Sequence, residues 1–179
     1  FFVLLACLLA AVLAAGGAAA QEAASFTEGV KLYQDGEYAA AIKSLEAATQ
    51  AQPTQEAAWY YLGLARLKQR DYEGALTALM RAVELAPGRP GTRLAIGELY
   101  ETQNAYQEAV HVYQEELRHR RGRDVLPVMN AMGRALYRAG RPLEARAALQ
   151  KVIAENPRYV EALYYSGLSE HALGNYEAA

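Results

Sequence analysis

Five glycines, Gly29, Gly63, Gly97, Gly133 and Gly167, stand 34, 34, 36 and 34 residues apart, and each is followed twelve residues later by an alanine: Ala41, Ala75, Ala109, Ala145 and Ala179. That period rules out one centrally packed core. It specifies a row of small units, each a pair of helices unable to bury its own apolar face without a neighbour. Function in such a chain is to be sought on an extended surface, not in a catalytic cleft.

Between each glycine and its alanine lies a turn: Asp35-Gly36-Glu37-Tyr38, Arg70-Asp71-Tyr72, Asn104-Ala105-Tyr106, Gly140-Arg141-Pro142 and Gly174-Asn175-Tyr176. Gly, Asn and Asp end one helix there and start the next. Pro142 is tolerated because the first helical turn needs no amide donor. Leu, Ile, Val and Tyr recur at three- and four-residue spacing and supply the buried stripe, while the glycines and alanines let two helix backbones approach closely. Pro53, Pro87 and Pro157 close the second helix.

These residues resemble the tetratricopeptide repeat. Trp59-Tyr60-Tyr61-Leu62-Gly63 is similar to the family's W-x2-L-G opening, Gly97-Glu98-Leu99-Tyr100 to its G-x2-Y, and Ala109 with Tyr113 to its A-x3-aromatic. Individual repeats depart from the pattern: Arg66 takes the Tyr position in the second, Ser25 and Arg93 replace the opening Trp, and Arg121 stands where the third repeat has its Pro. The resemblance covers roughly residues 22 to 179. It implies an all-α, right-handed α-solenoid of antiparallel helix pairs, nine helices in about four and a half units. The repeats fall at 22–55, 56–89, 90–125, 126–159 and 160–179, the last incomplete.

Residues 1–20 are of another kind. They carry no charge, are rich in Leu and Ala, and end Ala18-Ala19-Ala20 before Gln21-Glu22. This pattern predicts a secretory signal, truncated at its own N-terminus and cleaved after Ala20. Export to the periplasm or cell envelope follows as an expectation. The alternative is an uncleaved membrane anchor, since 20 uncharged residues are enough to span a bilayer. Leu4-Leu5-Ala6-Cys7 faintly resembles a lipobox, but the apolar run continues well past Cys7. Cleavage after Ala20 removes the sole cysteine, which suits an oxidising compartment.

Eighteen basic against twenty acidic side chains leave a net charge of −2, a balance that argues against bulk nucleic-acid binding. Its distribution is uneven. Residues 118–158 hold ten Arg or Lys against three acids, whereas residues 21–117 hold eight against fourteen. The densest stretch, Arg118, Arg120, Arg121 and Arg123, coincides with the 36-residue interval and therefore with a two-residue insertion. Two readings stand: a solvated helix end whose cations complement the helix dipole, or a basic ledge for an acidic partner.

In the family the first helix of each repeat lines a concave groove where ligands usually bind. Carried onto this chain, the resemblance implies groove residues Phe26, Val30 and Tyr33; Tyr60, Leu64 and Leu67; Leu94, Glu98 and Glu101; Asn130, Arg134 and Tyr137; and Tyr164, Leu168 and His171. Tyrosine suits peptide binding, having a large area, a hydroxyl and few rotors. Either member of the pairs Tyr60-Tyr61 and Tyr164-Tyr165 is equally able to pack between helices. Glu98 and Arg134 occupy neighbouring repeats and are expected to pair. The chaperone-tail clamp of some relatives needs Lys and Asn where this chain has Phe26 and Val30, so that specificity is excluded. His111, His119 and His171 lack metal-ligand spacing, and the repeating glycines lie within helices and form no phosphate loop. The expectation is a non-enzymatic scaffold, without cofactor, that binds a protein or peptide partner in a cell-envelope complex. The alternative is the non-catalytic module of a longer envelope peptidase or transferase.

Overall fold

The computed structural model describes residues 25–174 apart from Arg121, and of Arg123 the backbone alone. Residues 1–20, read above as a leader, and residues 175–179 lie outside the described residues. Everything described is helix or turn. Helix α1 covers residues 25–34, and α2 (Tyr38–Ala51), α3 (Glu56–Lys68), α4 (Tyr72–Leu85), α5 (Thr92–Thr102), α6 (Tyr106–Arg118), α7 (Leu126–Arg138), α8 (Pro142–Glu155) and α9 (Val160–Ala172) follow. A one-turn 3-10 helix, Gly122–Val125, precedes α7 and takes up the two-residue insertion. The chain divides between Pro87 and Gly88 into two compact units, and within each unit consecutive helices pack as antiparallel neighbours.

The glycine period has a direct steric cause. A β-carbon at Gly29 would stand 2.6 Å from Leu45 Cγ, at Gly63 2.5 Å from Leu79 Cγ, and at Gly133 2.5 Å from Leu149 Cγ; at Gly97 it would overlap the ring of Tyr113. The four partners are each sixteen residues on, in the second helix of the same repeat. Ala41, Ala75, Ala109 and Ala145, on those second helices, are all fully buried. Small residues on both helices thus set the spacing, and one large side chain per repeat fills the space that each glycine vacates.

The turn is equally regular. Seven residues after each glycine the backbone enters the left-handed region, at Gly36, Arg70, Asn104, Gly140 and Gly174. In the first four repeats the next residue's amide bonds back to the carbonyl five positions earlier, as in Glu37 to Leu32 at 2.9 Å, Asp71 to Arg66 at 3.0 Å, Ala105 to Tyr100 at 2.9 Å and Arg141 to Leu136 at 2.9 Å. That pairing closes the first helix and aims the second one back along it. In the second repeat the left-handed residue is Arg70 (φ 63°). Asp71, read in the sequence as ending one helix and starting the next, does the second: it caps α4, accepting from the Gly74 amide at 3.0 Å.

Candidate functional site

The first helices of the second unit, α5, α7 and α9, present a continuous polar lining. Arg134 on α7 forks onto Glu101 of α5, with Nε to Oε2 at 2.9 Å and Nη2 to Oε1 at 2.7 Å, and its Nη1 reaches Oε1 of Glu161 on α9 at 2.5 Å. Asn130 donates to the other oxygen of Glu161 at 2.7 Å. From behind, the buried Tyr113 hydroxyl donates to Glu101 Oε1 at 2.7 Å. Three repeats are thereby tied together by one arginine. The hydrogen bonds that Arg134 donates to Glu101 raise its pKa above the ordinary arginine value, against the effect of burial. Burial, reinforced by the Glu101 charge, pushes the Tyr113 hydroxyl well above the ordinary tyrosine value.

Arg138 stands one turn beyond Arg134. It lies 6.0 Å from the ring of Tyr106 and 5.9 Å from that of Tyr165, and donates to the Tyr165 hydroxyl at 3.0 Å. Glu98, Glu101, Thr102, Arg134, Arg138, Glu161 and Tyr165 together line a cleft of about 420 Å³. Its walls are held by charge-assisted hydrogen bonds, so little ordering remains for a ligand to impose.

In the first unit the corresponding face is aromatic. Tyr61 of α3 meets Phe26 and Tyr33 of α1 at ring distances of 6.3 and 5.8 Å, and Tyr60 at 5.4 Å. Phe26, Val30 and Gln34 border a second cleft of about 360 Å³ with Tyr61. The contact between Tyr33 and Tyr61 recurs in the second unit, where Tyr137 and Tyr165 occupy the same repeat positions at 5.9 Å. The second member of each tyrosine pair therefore joins adjacent repeats. The first member of the later pair, Tyr164, is 60% exposed.

The implied groove residues accordingly divide. Phe26, Glu98, Glu101 and Arg134 border clefts. Tyr33, Tyr60 and Tyr137 are half-buried in ring contacts, Leu64 and Leu168 are half-buried, and Tyr164 is open. Asn130 and Glu101 are buried, although both had been placed on an open groove. Arg134 pairs with Glu101 and Glu161, not with Glu98, because Glu101 lies one turn further along α5 at the level of the guanidinium. Glu161, Arg138, Tyr165 and Tyr61 had not been picked out. Glu161 was discoverable, since it shares a helix face with Tyr164, Tyr165 and Leu168 by three- and four-residue spacing.

The basic stretch also looks different in three dimensions. Arg120 turns onto Glu116, a carboxylate only 1% exposed that also accepts from the Gly91 amide at 3.1 Å. Arg118 pairs with Glu115, although 71% exposed. Arg121 and the side chain of Arg123 lie outside the described residues. Much of the positive excess of residues 118–158 is met by carboxylates outside that stretch, namely Glu115, Glu116, Glu101, Glu161 and Glu170. Arg66, at the Tyr position of the second repeat, similarly bonds Glu46 at 2.6 Å. Among the described residues no helix is long and apolar enough to cross a membrane, and no group of three His, Cys, Asp or Glu could hold a metal ion.

The family model for the tetratricopeptide repeat matches residues 26–90 and 130–179. Solved structures share the fold at low identity. The crystal structure of MamA protein is 19% identical, covering 88% of this chain and 86% of its own, with a TM-score of 0.79. MamA from Desulfovibrio magneticus RS-1 is 14% identical, covering 88% of each chain, with a TM-score of 0.79. YrrB, a tetratricopeptide repeat protein with an unusual peptide-binding site, is 16% identical, covering 86% of this chain and 78% of its own, with a TM-score of 0.73. No curated protein matches the chain. Residues 91–129 fall outside the family match, yet α5 and α6 keep its spacing, with Gly97 against Tyr113 and Asn104 in the left-handed turn. The chain belongs to the tetratricopeptide repeat family.

Proposed function

We propose that this protein-interaction module binds an extended peptide segment of a partner on its first-helix faces, as part of a complex assembled in the cell envelope. The observation that carries the reading is the cleft bordered by Glu98, Arg138, Glu161 and Tyr165, whose walls are fixed in advance by the bonds of Arg134 to Glu101 and Glu161. Carboxylates, guanidinium groups and tyrosine rings alternate across it. A peptide main chain offers both donors and acceptors to such a lining, and an exposed Tyr164 next to it supplies an anchor. The structural likeness to YrrB, which has a peptide-binding site, supports the same reading. The envelope assignment rests on the uncharged leader ending Ala18-Ala19-Ala20.

The binding half is tested by selecting peptides from a displayed library on the wild-type chain and titrating them against Tyr164→Ala and Tyr137→Ala. A loss of about 1 to 3 kcal/mol with an unchanged melting temperature supports the groove. Undiminished affinity in both variants removes it. The export half is tested by N-terminal sequencing from the producing cell: a mature terminus at Gln21 supports it, and an intact leader in a cytosolic pool overturns it.

A further inference from the structure

Arg138 is the more exposed of the two guanidinium groups in the cleft, and its carboxylate contact does little to fix it. Its Nη1 stands 3.4 Å from Glu101 Oε2, beyond the ordinary length of an N–H···O bond, and that oxygen already accepts from Arg134 Nε at 2.9 Å. Its Nη2 donates to the Tyr165 hydroxyl at 3.0 Å. An arginine side chain that is 40% exposed has several rotamers open to it, and a ligand that needs one of them must freeze out the rest.

A second ring meets this arginine from another element. Tyr106, the first residue of α6, places its ring centre 6.0 Å from the guanidinium, a distance at which an aromatic face attracts a cation. Tyr106 belongs to a second helix, yet its ring is itself anchored, because its hydroxyl donates to Asn104 Oδ1 at 2.6 Å. Asn104 is the left-handed residue of the preceding turn. Tyrosine opens the second helix in each of the first three repeats, at Tyr38, Tyr72 and Tyr106, and the left-handed residues two positions earlier are Gly36, Arg70 and Asn104. Of those three only the asparagine carries a side-chain acceptor. The position of Arg138, five residues after the repeat glycine, is filled in the other repeats by Gln34, Lys68, Thr102 and Ala172. The turn of the third repeat and the arginine of the fourth are thus a matched set.

We propose that Tyr106 is a positioning residue for the peptide face. Anchored by Asn104, its ring holds the Arg138 guanidinium against Tyr165, so that the N–H groups not used by Glu101 and Tyr165 are presented in one direction to a main-chain carbonyl of the bound peptide. The inference rests on the peptide-binding reading above and extends it to a residue outside the first helices.

The Nε–Hε resonance of Arg138 in the full chain, identified by its loss in Arg138→Lys, reads this placement without a ligand. Tyr106→Leu should move it to the position of solvent-exposed arginines. Asn104→Gly and Tyr106→Phe should each move it part of the way, and together no further than either alone, since both break the same bond. Affinity for a library-selected peptide, titrated by fluorescence anisotropy, should fall about fivefold in Tyr106→Leu and less than about twofold in Tyr106→Phe. Failure of every library peptide to bind the wild type overturns the peptide reading and this inference with it. An Arg138 resonance unmoved by Tyr106→Leu, or equal affinity of that variant and the wild type, overturns this inference alone, even if the variant melts earlier. Should Tyr106→Leu not fold, a resonance unmoved by both Asn104→Gly and Tyr106→Phe overturns it.

Discussion

The hydroxyl of Tyr113 donates to Oε1 of Glu101 at 2.7 Å, and that carboxylate in turn holds Arg134. Tyr113 reaches Glu101 because its ring lies in the space that Gly97 leaves open, where the first, second and fourth repeats place a leucine. A packing rule common to the repeats is thus turned, in the third, into support for the candidate binding face.

Replacing Tyr113 by Phe should cost about 1 to 2 kcal/mol, the worth of a buried bond to a charged acceptor that keeps its other partners. Its pH signature is more specific. The folded chain holds the Tyr113 proton well above pH 10, where an unfolded tyrosine releases it. Above that pH the unfolded state binds fewer protons than the folded one, so stability falls as pH rises; below it the contribution is complete. Urea unfolding between pH 10 and 11 should show the wild type losing about 1 kcal/mol more than Tyr113→Phe, the difference steepening toward about 1.4 kcal/mol per pH unit at higher pH. Parallel losses in the two proteins would place Tyr113 in contact with solvent.

Gly97→Ala should destabilise more than Gly133→Ala. A methyl at Gly133 meets the Leu149 side chain, which can adjust its rotamer, whereas one at Gly97 meets a ring pinned by Glu101. Overpacking costs about 1 to 3 kcal/mol, reduced by up to about 1 kcal/mol from the better helix propensity of Ala. Denaturant midpoints of the two variants decide the order.

Arg134→Met should be far more damaging than Glu161→Gln. The first leaves Glu101, 5% exposed at its side chain, as a buried carboxylate without its main cation, at a cost of about 3 to 5 kcal/mol. The second removes the charge of a carboxylate that is 39% exposed, while Arg134 retains both bonds to Glu101. A loss under about 1 kcal/mol is expected there. Equal losses in thermal unfolding would mean that the two carboxylates share the arginine evenly.

Arg70→Gly should raise stability by about 0.5 to 1 kcal/mol, because Arg70 holds a left-handed backbone that the first, fourth and fifth repeats assign to glycine. Its side chain is exposed, so its removal uncovers no core. A lower melting temperature would contradict this.

The fold was legible in the sequence because its determinants are small residues at fixed spacing. A glycine excludes a β-carbon wherever it recurs, so a period of 34 survives the loss of most signature residues, including Trp59 at Arg93 and Tyr100 at Arg66. The site was legible only in part. Tyr60 and Tyr61 are one residue, or about 100°, apart on a helix, and periodicity alone could not decide that Tyr61 and Tyr165 are the ones joining adjacent repeats. Glu161 is 60 residues from Glu101, and their sharing of Arg134 depends on the stagger of three helices, which no local pattern encodes. Likewise, nothing in the identity of Arg70 announces a left-handed backbone; only its place seven residues after Gly63 does. The positive excess of residues 118–158 misled as a surface feature, because Glu101, Glu161 and Glu170, which meet it, lie in other repeats.

Amide hydrogen exchange of the full chain, alone and saturated with a library-selected peptide, tests the binding face most directly. Added protection in α5, α7 and α9, near Glu98, Arg138 and Tyr165, with α6 and α8 unchanged, is the predicted result. Protection confined to second helices such as α6 and α8, with the first helices exchanging as before, would contradict it.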